Sequence, residues 1–306
     1  MTLQPKNAFI FPGQGAQAPG MGKDFYDTFL EAKEVFQQAD DILSLGLSKI
    51  IFNGPMEKLT ETRYSQPAIF VTSVAILHTL RKQFPDLKPA MTGGLSLGEY
   101  TAIYASNKLD FASCLKLVAA RGQFMQEACE SEPGVMLVVM GLDEGEIAKS
   151  GAWIANVNCP GQIVVACRKE KVDSITKDLQ ERGAKRVLPL AVSGAFHSPL
   201  MAVAKEKLTP LIEEMSFQNS DILLSMNVVG DFVSDVDIMK SCLIEQVASP
   251  TRWMQCVQSM MREESTHFYE IGPSQLVSMN RKIGVSAQSI SVNKTSDLER
   301  VHETTF

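Results

Sequence analysis

The sequence is poor in the residues that build metal centres and disulfide frameworks. Its six cysteines are scattered along 306 residues without a C-x-x-C pair, and it has only four histidines, none of them close to another. Structural zinc sites draw their ligands from such close pairs, so we expect no metal ion. Isolated thiols are typical of a reducing compartment, which favours a cytoplasmic protein over a secreted one.

The chain also lacks an excess of basic charge and any long apolar segment. It has 29 Lys and Arg against 35 Asp and Glu, a formal net charge of −6. General nucleic-acid binding needs a basic face, so this balance argues against a nucleic-acid partner. No apolar run approaches the length of a membrane span, and the first residues lack the layout of a signal peptide, so we expect no membrane partner. A hydrophobic content of 45% is that of a globular protein with a substantial core.

Apolar patterning predicts an α/β fold with an insertion. Short buried runs at residues 8–11 and 267–271 are typical of parallel strands covered by helices. From about residue 133 the order becomes β-α-β-β-α-β, the split βαβ arrangement of ferredoxin-like domains. We therefore predict a large α/β-hydrolase-like body with a parallel sheet, made of residues 1–132 and 194–306. A small ferredoxin-like subdomain is predicted at residues 133–193.

The same patterning sets the bounds of individual elements. Residues 24–39 are predicted to form one helix with a charged outer face, and residues 186–192 the last strand of the subdomain. A densely apolar helix is expected at residues 68–80, with Pro67 in its first turn. Residues 301–306 are expected to form a loose tail.

The segment Gly94-Leu-Ser-Leu-Gly98 is a G-x-S-x-G motif between a predicted strand and a helix-compatible stretch. A serine in this setting is typical of a nucleophile elbow, a tight turn in which Gly94 and Gly98 must lack side chains. The hydroxyl of Ser96 would project from the sheet, and the first N–H groups of the following helix would favour an oxyanion beside it. An ordinary glycine-rich turn is the alternative interpretation.

His197 is the best candidate for the base that a nucleophilic serine needs. It lies in a loop rich in glycine and serine, whereas the other histidines fall in a buried helix, at the start of a strand and near the chain end. In a Ser–His pair the imidazole accepts the hydroxyl proton during attack and returns it to the leaving group. A backbone carbonyl can orient its second nitrogen in place of a carboxylate. A surface loop histidine without a catalytic role is the alternative.

Seven motifs resemble, in the same order, those of the malonyl-CoA:acyl carrier protein transacylases, which act in bacterial fatty-acid synthesis. The acyltransferase domains of polyketide synthases share the fold of this family. They are FPGQGAQ at residues 11–17, QPA at 66–68, GLSLGEY at 94–100, RGQFM at 121–125, SGAFHS at 193–198, SPTRW at 249–253 and IGP at 271–273. The match is collinear from about residue 8 to residue 285, so it covers nearly the whole chain. Such an ordered set is far more specific than the serine motif alone.

The resemblance implies a ping-pong malonyl transfer without a cofactor of the enzyme's own. Ser96 would become malonylated by malonyl-CoA with His197 as its base, CoA would leave, and the phosphopantetheine thiol of an acyl carrier protein would take the malonyl group. Arg121 would pair with the malonyl carboxylate, for which a planar fork of donors is better suited than a lysine. The family also suggests a monomer.

The resemblance assigns further residues to the site. Gln14 and Leu97 would supply the backbone N–H groups of the oxyanion hole, and a carbonyl of Gln246 would orient the histidine. Phe196 matches a bulky ring that crowds out an α-methyl branch, which favours malonyl over methylmalonyl. Met125, at the end of its motif, is placed with the substrate-binding residues.

The chain departs from the family pattern at two positions. Leu95 stands just before the nucleophile, where the family usually has histidine. Since that position is not the base, activity is expected to survive, with altered hydrogen bonding or hydrolytic leak at the acyl site. Asn107 stands where a helix-ending glycine is common, and asparagine also tolerates the left-handed conformation.

Two other functions remain as alternatives. An esterase or proofreading acyl hydrolase would use the same Ser–His pair. Its usual chain order places a carboxylate between serine and histidine as the third member, but Asp143 and Asp173 lie in the inserted subdomain instead. A non-catalytic carrier-binding subunit would not need Ser96, His197 and Arg121 together.

An acidic carrier protein needs a local basic patch on this acidic chain. Some of four residues are predicted to rim the cleft: Lys185, Arg186, Arg281 and Lys282. Charge reversal there is expected to raise the KM for the carrier and to leave acylation by malonyl-CoA unchanged. The pantetheine arm is expected between body and subdomain.

Overall fold

The computed structural model describes residues 5–305 and contains two β-sheets. The strands in chain order are β1 (Asn7–Phe11), β2 (Pro89–Gly94), β3 (Gly134–Met140), β4 (Trp153–Cys159), β5 (Gln162–Arg168), β6 (Arg186–Pro189), β7 (Leu223–Met226), β8 (Asp231–Phe232), β9 (His267–Ile271) and β10 (Gln288–Val292). The helices are α1 (Lys23–Thr28), α2 (Leu30–Leu43), α3 (Leu47–Asn53), α4 (Met56–Thr60), α5 (Thr62–Gln83), α6 (Gly98–Ala105), α7 (Phe111–Ser131), α8 (Glu144–Ala148), α9 (Val172–Glu181), α10 (Ala202–Glu213), α11 (Val236–Gln246), α12 (Trp253–Arg262), α13 (Val277–Ile283) and α14 (Leu298–Thr305).

The larger sheet has the strand order β10-β9-β1-β2-β7-β8 and is parallel except for its short edge strand β8. Strand β1 lies inside the sheet, and all five of its residues are buried because helices cover both faces. Phe9 and Phe11 face the core with α2, α5 and α7. Ala8 and Ile10 pack on the opposite face with Trp253 of α12. The predicted parallel α/β body is confirmed.

The smaller sheet is antiparallel, with the order β4-β5-β3-β6. Helices α8 and α9 cover one face, where Leu137 and Val139 pack with Ile175 and Leu179. The element order β-α-β-β-α-β is the ferredoxin-like one, as predicted. The other face turns towards the body. The boundaries at residues 133 and 193 stay a prediction.

Two predicted elements, the helix at residues 24–39 and the strand at residues 186–192, have different bounds in the structure. Residues 24–39 belong to two helices, because the backbone of Phe29 between them is extended. The N–H of Phe29 donates to the carbonyl of Phe25 and so makes the last hydrogen bond of α1. The strand predicted at residues 186–192 ends at Pro189, beyond which the chain turns to line a cleft.

The helix predicted at residues 68–80 begins earlier, at Thr62, so Pro67 lies inside α5 rather than in its first turn. The N–H of Thr62 donates to Gln126 Oε1 of α7 at 3.1 Å, which satisfies one of the free amides of the helix start. Packing against α7 thus extends the helix although the proline removes one of its hydrogen bonds.

The expectation of a loose tail at residues 301–306 is also wrong for the described part. Residues 298–305 form α14, Val301 is fully buried, and the hydroxyls of Tyr269 and Thr304 lie 3.1 Å apart. Phe306 lies outside the described residues. Among residues 5–305, no helix is both long and apolar enough to cross a membrane.

Candidate active site

Ser96 occupies a tight turn between the end of β2 and the start of α6. Its φ is 54°, in the left-handed region that few residues other than glycine adopt. A side chain on Gly94 would collide with the backbone of Gly98, and one on Gly98 with the carbonyl of Phe11. Both glycines are therefore required by close backbone contacts. The geometry is that of a nucleophile elbow.

His197 lies beside Ser96 although 101 residues separate them in the chain. Its Nε2 is 2.8 Å from Ser96 Oγ, and its Nδ1 is 2.7 Å from the backbone carbonyl oxygen of Gln246. A carbonyl oxygen only accepts, so Nδ1 carries the proton and Nε2 presents its lone pair to the serine hydroxyl. This is the orientation of a general base.

Among residues 5–305, no carboxylate is hydrogen-bonded to His197. Asp143 caps α8 by accepting from the N–H of Glu146, and Asp173 lies in the first turn of α9. The orienting partner of His197 in the described chain is the Gln246 carbonyl. The geometry is that of a hydrogen-bonded Ser–His dyad oriented by a backbone carbonyl.

Burial, and then the positive charge of Arg121, lower the pKa of His197 to about 4. The neutral base should therefore persist as the pH falls. We expect inactivation of Ser96 by a neutral serine-directed sulfonyl fluoride to proceed at a constant rate from neutral pH down to about pH 5 and to fall with a midpoint near 4. The reagent carries no titrating group, so the profile reports the free enzyme. A midpoint near 6.5, the ordinary value for histidine, would contradict this.

Arg121 projects from α7 into the same site and is 1% exposed. Its Nη1 donates to Gln66 Oε1 at 2.6 Å, while Nη2 donates to Gln246 Oε1 at 3.0 Å and to Ser96 Oγ at 3.1 Å. The guanidinium also lies over the ring of Tyr100, 5.6 Å from its centroid. Its plane is thus fixed beside the nucleophile.

The two predicted oxyanion donors come from two loops, each of which follows a strand of the larger sheet. Leu97 immediately precedes α6, and Gln14 lines the cleft in the loop after β1. Within residues 5–305, the backbone N–H of neither residue donates a hydrogen bond. The Gln14 side chain is held aside, because its Oε1 accepts from Thr62 at 2.7 Å. Neither amide is therefore committed to another acceptor in this part of the chain, as an oxyanion hole requires.

The cleft at Ser96 has a volume of about 340 Å³ and lies between the two sheets. The body contributes Met125 and Leu95, and the buried ring of Phe196 lies next to the base. Leu95 therefore presents an apolar side chain where the family usually has histidine. Asn107, the other departure, has a φ of 59° just after α6, in agreement with its predicted left-handed role.

The sequence interpretation missed the polar wall that the smaller sheet gives to this cleft. Asn156, Asn158 and Gln162 line it from β4 and β5. The first two alternate along one strand, and residues two apart in a strand share a face. That spacing was the available signal in the sequence.

Asn227 and Glu99 were also missed as site residues. Both are fully buried. Asn227 accepts from the N–H of Ser96, and Glu99, on α6, accepts from the N–H of Asn227. No motif surrounds Asn227 in the sequence. It comes close to Ser96 only through the pairing of β7 with β2.

The four predicted cationic residues do not line the cleft but lie exposed near it. Arg186 pairs in register with Met140, two residues from the cleft-lining Val138, so it is on the same sheet face. Lys185 precedes it. Arg281 and Lys282 follow the cleft-lining Met279 on α13.

Comparisons with known proteins agree with this geometry. Residues 8–300 match the sequence model of the acyl transferase domain family. The malonyl CoA-acyl carrier protein transacylase of Bacillus subtilis (strain 168) is 37% identical over 309 residues, which cover 98% of this chain and 97% of the relative.

Solved structures give the same result. The MCAT structure from Streptococcus pneumoniae superposes with a TM-score of 0.92 at 37% identity and covers 98% of this chain and 100% of its own. A malonyl-transacylase solved in complex with its type II PKS acyl-carrier protein has a TM-score of 0.92 at 32% identity, with 98% and 99% covered. Sequence, fold and dyad geometry together place this chain in the acyltransferase family of the malonyl CoA-acyl carrier protein transacylases.

Proposed function

We propose that the chain transfers a malonyl group from malonyl-CoA to the phosphopantetheine thiol of an acyl carrier protein through a malonyl-serine intermediate. The names of its relatives support the donor and the acceptor. The solved carrier complex of a structural neighbour supports direct docking of the acceptor. The Ser96–His197 pair supports covalent catalysis.

The observation that carries the proposal is the uncompensated charge of Arg121. This guanidinium is almost fully buried, yet its hydrogen-bond partners are two amide oxygens and a hydroxyl. The nearby carboxyl of Glu99 does not neutralise it, because burial raises the pKa of Glu99 to about 8 and keeps it mainly protonated at neutral pH. A buried cation without a counter-ion favours an anionic ligand. The free carboxylate of a malonyl thioester supplies that charge, whereas an acetyl thioester does not.

Acylation follows from the positions of the side chains. Ser96 Oγ attacks the thioester carbonyl while His197 Nε2 takes its proton, and the Gln246 carbonyl stabilises the resulting imidazolium through Nδ1–H. The Leu97 and Gln14 amides bind the developing oxyanion. The tetrahedral intermediate then collapses, the C–S bond breaks, and the imidazolium protonates the departing CoA sulfur.

Transfer to the carrier reverses these roles. The phosphopantetheine thiol gives its proton to His197 Nε2 as its sulfur attacks the malonyl-serine carbonyl. When the ester C–O bond breaks, the imidazolium returns the proton to Ser96 Oγ. Throughout both steps, Arg121 would hold the malonyl carboxylate and leave the thioester end facing the dyad. The site therefore needs no cofactor, since each reactant brings its own pantetheine.

The direct test is transfer from malonyl-CoA to carrier protein with and without its phosphopantetheine arm. The proposal requires malonyl-carrier only when the arm is present, and little free malonate in its absence. Rapid release of malonate irrespective of carrier would identify a hydrolase instead. Methylmalonyl-CoA should be a poor donor, because Phe196 lines the cleft next to the base and would crowd a branched α-carbon.

We also infer a cytoplasmic location for the protein. All six cysteines are free and buried, and none is positioned as a disulfide. This pattern is typical of a reducing compartment.

We infer that the carrier docks at one end of the smaller sheet. Gln162 lines the cleft there, Met140 pairs with it in β3, and Arg186 pairs with Met140 in β6. On the other side of this row, Cys159 of β4 pairs with Gln162. Lys282 lies close enough to Cys159 for its positive charge to lower the pKa of the thiol, although burial raises that pKa more. Cationic groups thus flank the cleft mouth on both sides, as an acidic partner requires.

Reversing the charge at both Arg186 and Lys282 with glutamate should raise the carrier KM about tenfold. Acylation by malonyl-pantetheine, which lacks the phosphates of CoA, should be unchanged. Lys177→Glu serves as the matched control, because Lys177 is exposed on α9, which covers the opposite sheet face. An unchanged carrier KM in the double variant would remove this docking site.

A further inference from the structure

Asn227 lies directly beneath the nucleophile turn. Its Oδ1 accepts from the backbone N–H of Ser96 at 2.6 Å, and its Nδ2 donates to the backbone carbonyl of Gly94 at 2.7 Å. It immediately follows β7, which pairs in parallel with β2. One fully buried amide therefore spans the turn from the end of the strand to the nucleophile.

The turn has a physical need for such a bridge. Ser96 is held in the left-handed region, where the backbone is strained and persists only when its surroundings fix it. The Ser96 N–H and the Gly94 carbonyl both take the Asn227 side chain as a hydrogen-bond partner. A carboxamide supplies one donor and one acceptor in a fixed plane, which matches these two groups.

Glu99 anchors Asn227 from the other side. The backbone N–H of Asn227 donates to Glu99 Oε2 at 2.5 Å, and Glu99 is a fully buried member of α6. The end of β7 is thereby joined to the helix that follows the nucleophile. Strand β2, the turn and α6 are all joined by hydrogen bonds to the one residue that follows the neighbouring strand β7.

We propose that Asn227 is a positioning residue that holds Ser96 Oγ against His197 and directs the Leu97 N–H into the cleft. The inference rests on the proposed acyl transfer at Ser96. It also assigns the oxyanion donors, because the Ser96 N–H is already bound to Asn227 and cannot serve. The stabilising amides are then those of Leu97 and Gln14.

The test compares two buried asparagines that bond to opposite ends of β2. Asn227→Ala removes the bridge at Gly94, whereas Asn7→Ala removes the bond from Asn7 Nδ2 to the Lys88 carbonyl at the distant end. The readouts are the acylation rate constant at saturating malonyl-CoA, the half-saturating concentration and Tm. Asn227→Ala should lower the rate constant roughly 30- to 100-fold, because small misplacements of a reacting atom are costly. Half-saturation should stay close to wild type, since Arg121 is untouched.

Asn7→Ala should lower Tm about as much as Asn227→Ala does and should keep the wild-type acylation rate constant. If the two alanine variants acylate equally fast while wild type is active, the inference is overturned and the proposed function stands. If wild type forms no acyl-enzyme, both are overturned.

Asn227→Asp provides a readout that a merely structural role would not move. A protonated carboxyl can donate to the Gly94 carbonyl and accept from Ser96, whereas a carboxylate only accepts. The ratio of the Asn227→Asp rate to the wild-type rate should therefore rise as the pH falls, and the Asn227→Ala ratio should stay level. A flat ratio for the aspartate variant would contradict the proposed role of Asn227.

Discussion

Ser96→Ala is expected to lower malonyl transfer by at least about 10⁴-fold, because the acyl group then has no covalent acceptor on the enzyme. The fold should survive, since Asn227 holds this turn through backbone groups that alanine retains. The measurement is the steady-state rate of malonyl-carrier formation. Intact-protein mass should show no adduct.

His197→Ala should be nearly as damaging, and the double variant no worse than Ser96→Ala alone, because nucleophile and base act as one unit. Ser106→Ala is the matched control. Ser106 is equally part of the α6 region and fully buried, but its Oγ donates to the Ile103 carbonyl away from the cleft. Losses that multiply in the double variant would contradict a cooperating dyad.

Arg121→Ala is expected to reduce kcat/KM for malonyl-CoA by about 10³-fold, the loss typical of one partner of a buried ion pair. Acetyl-CoA should lose much less, because it offers no carboxylate. The preference for malonyl over acetyl is therefore expected to shrink or invert. Arg121→Lys should fall between wild type and alanine, since an ammonium keeps the charge but cannot reach Gln66 and Gln246 as a fixed fork.

Arg63→Ala controls for the loss of an arginine near the site. Arg63 lies on α5 and forms exposed salt bridges with Glu61 and Glu130, outside the cleft. It should keep the malonyl preference of wild type. If Arg121→Ala lowered kcat/KM equally for malonyl-CoA and acetyl-CoA, the guanidinium would support the dyad rather than select the acyl group.

The sequence sufficed for the parts of the fold that local chemistry dictates. Strand β1 was predictable from its unbroken apolar run, and the elbow from glycines that backbone contacts make obligatory. The partnership of Ser96 and His197 rested on residue type and loop composition, since spacing along the chain could not indicate their contact. The positions of Arg121 and of the Gln246 carbonyl depended on family resemblance.

Long-range packing decided what the sequence could not predict. Gln126 of α7 caps α5 at Thr62, so the helix begins before its apolar pattern does. The polar terminal segment forms α14 because Val301 inserts into the core. Asn227 acquires its place only through strand pairing, and no local pattern records that event.

Leu95 illustrates what resemblance alone leaves open. Its buried side chain shares a core cluster with Met91 and Met260, and it also reaches the cleft wall. A histidine would bring a polar group to this place. With Leu95 at this position, the wall of the acyl site is more apolar than a histidine would make it.

The most direct test of the account is intact-protein mass after mixing with malonyl-CoA, followed by addition of carrier protein bearing phosphopantetheine. We expect a malonyl adduct that maps to Ser96, forms about 10³-fold more slowly with Arg121→Ala at matched low concentration, and moves to the carrier when it is added. Free CoA and malonate without any adduct or carrier product would contradict the malonyl-serine intermediate and the transfer built on it.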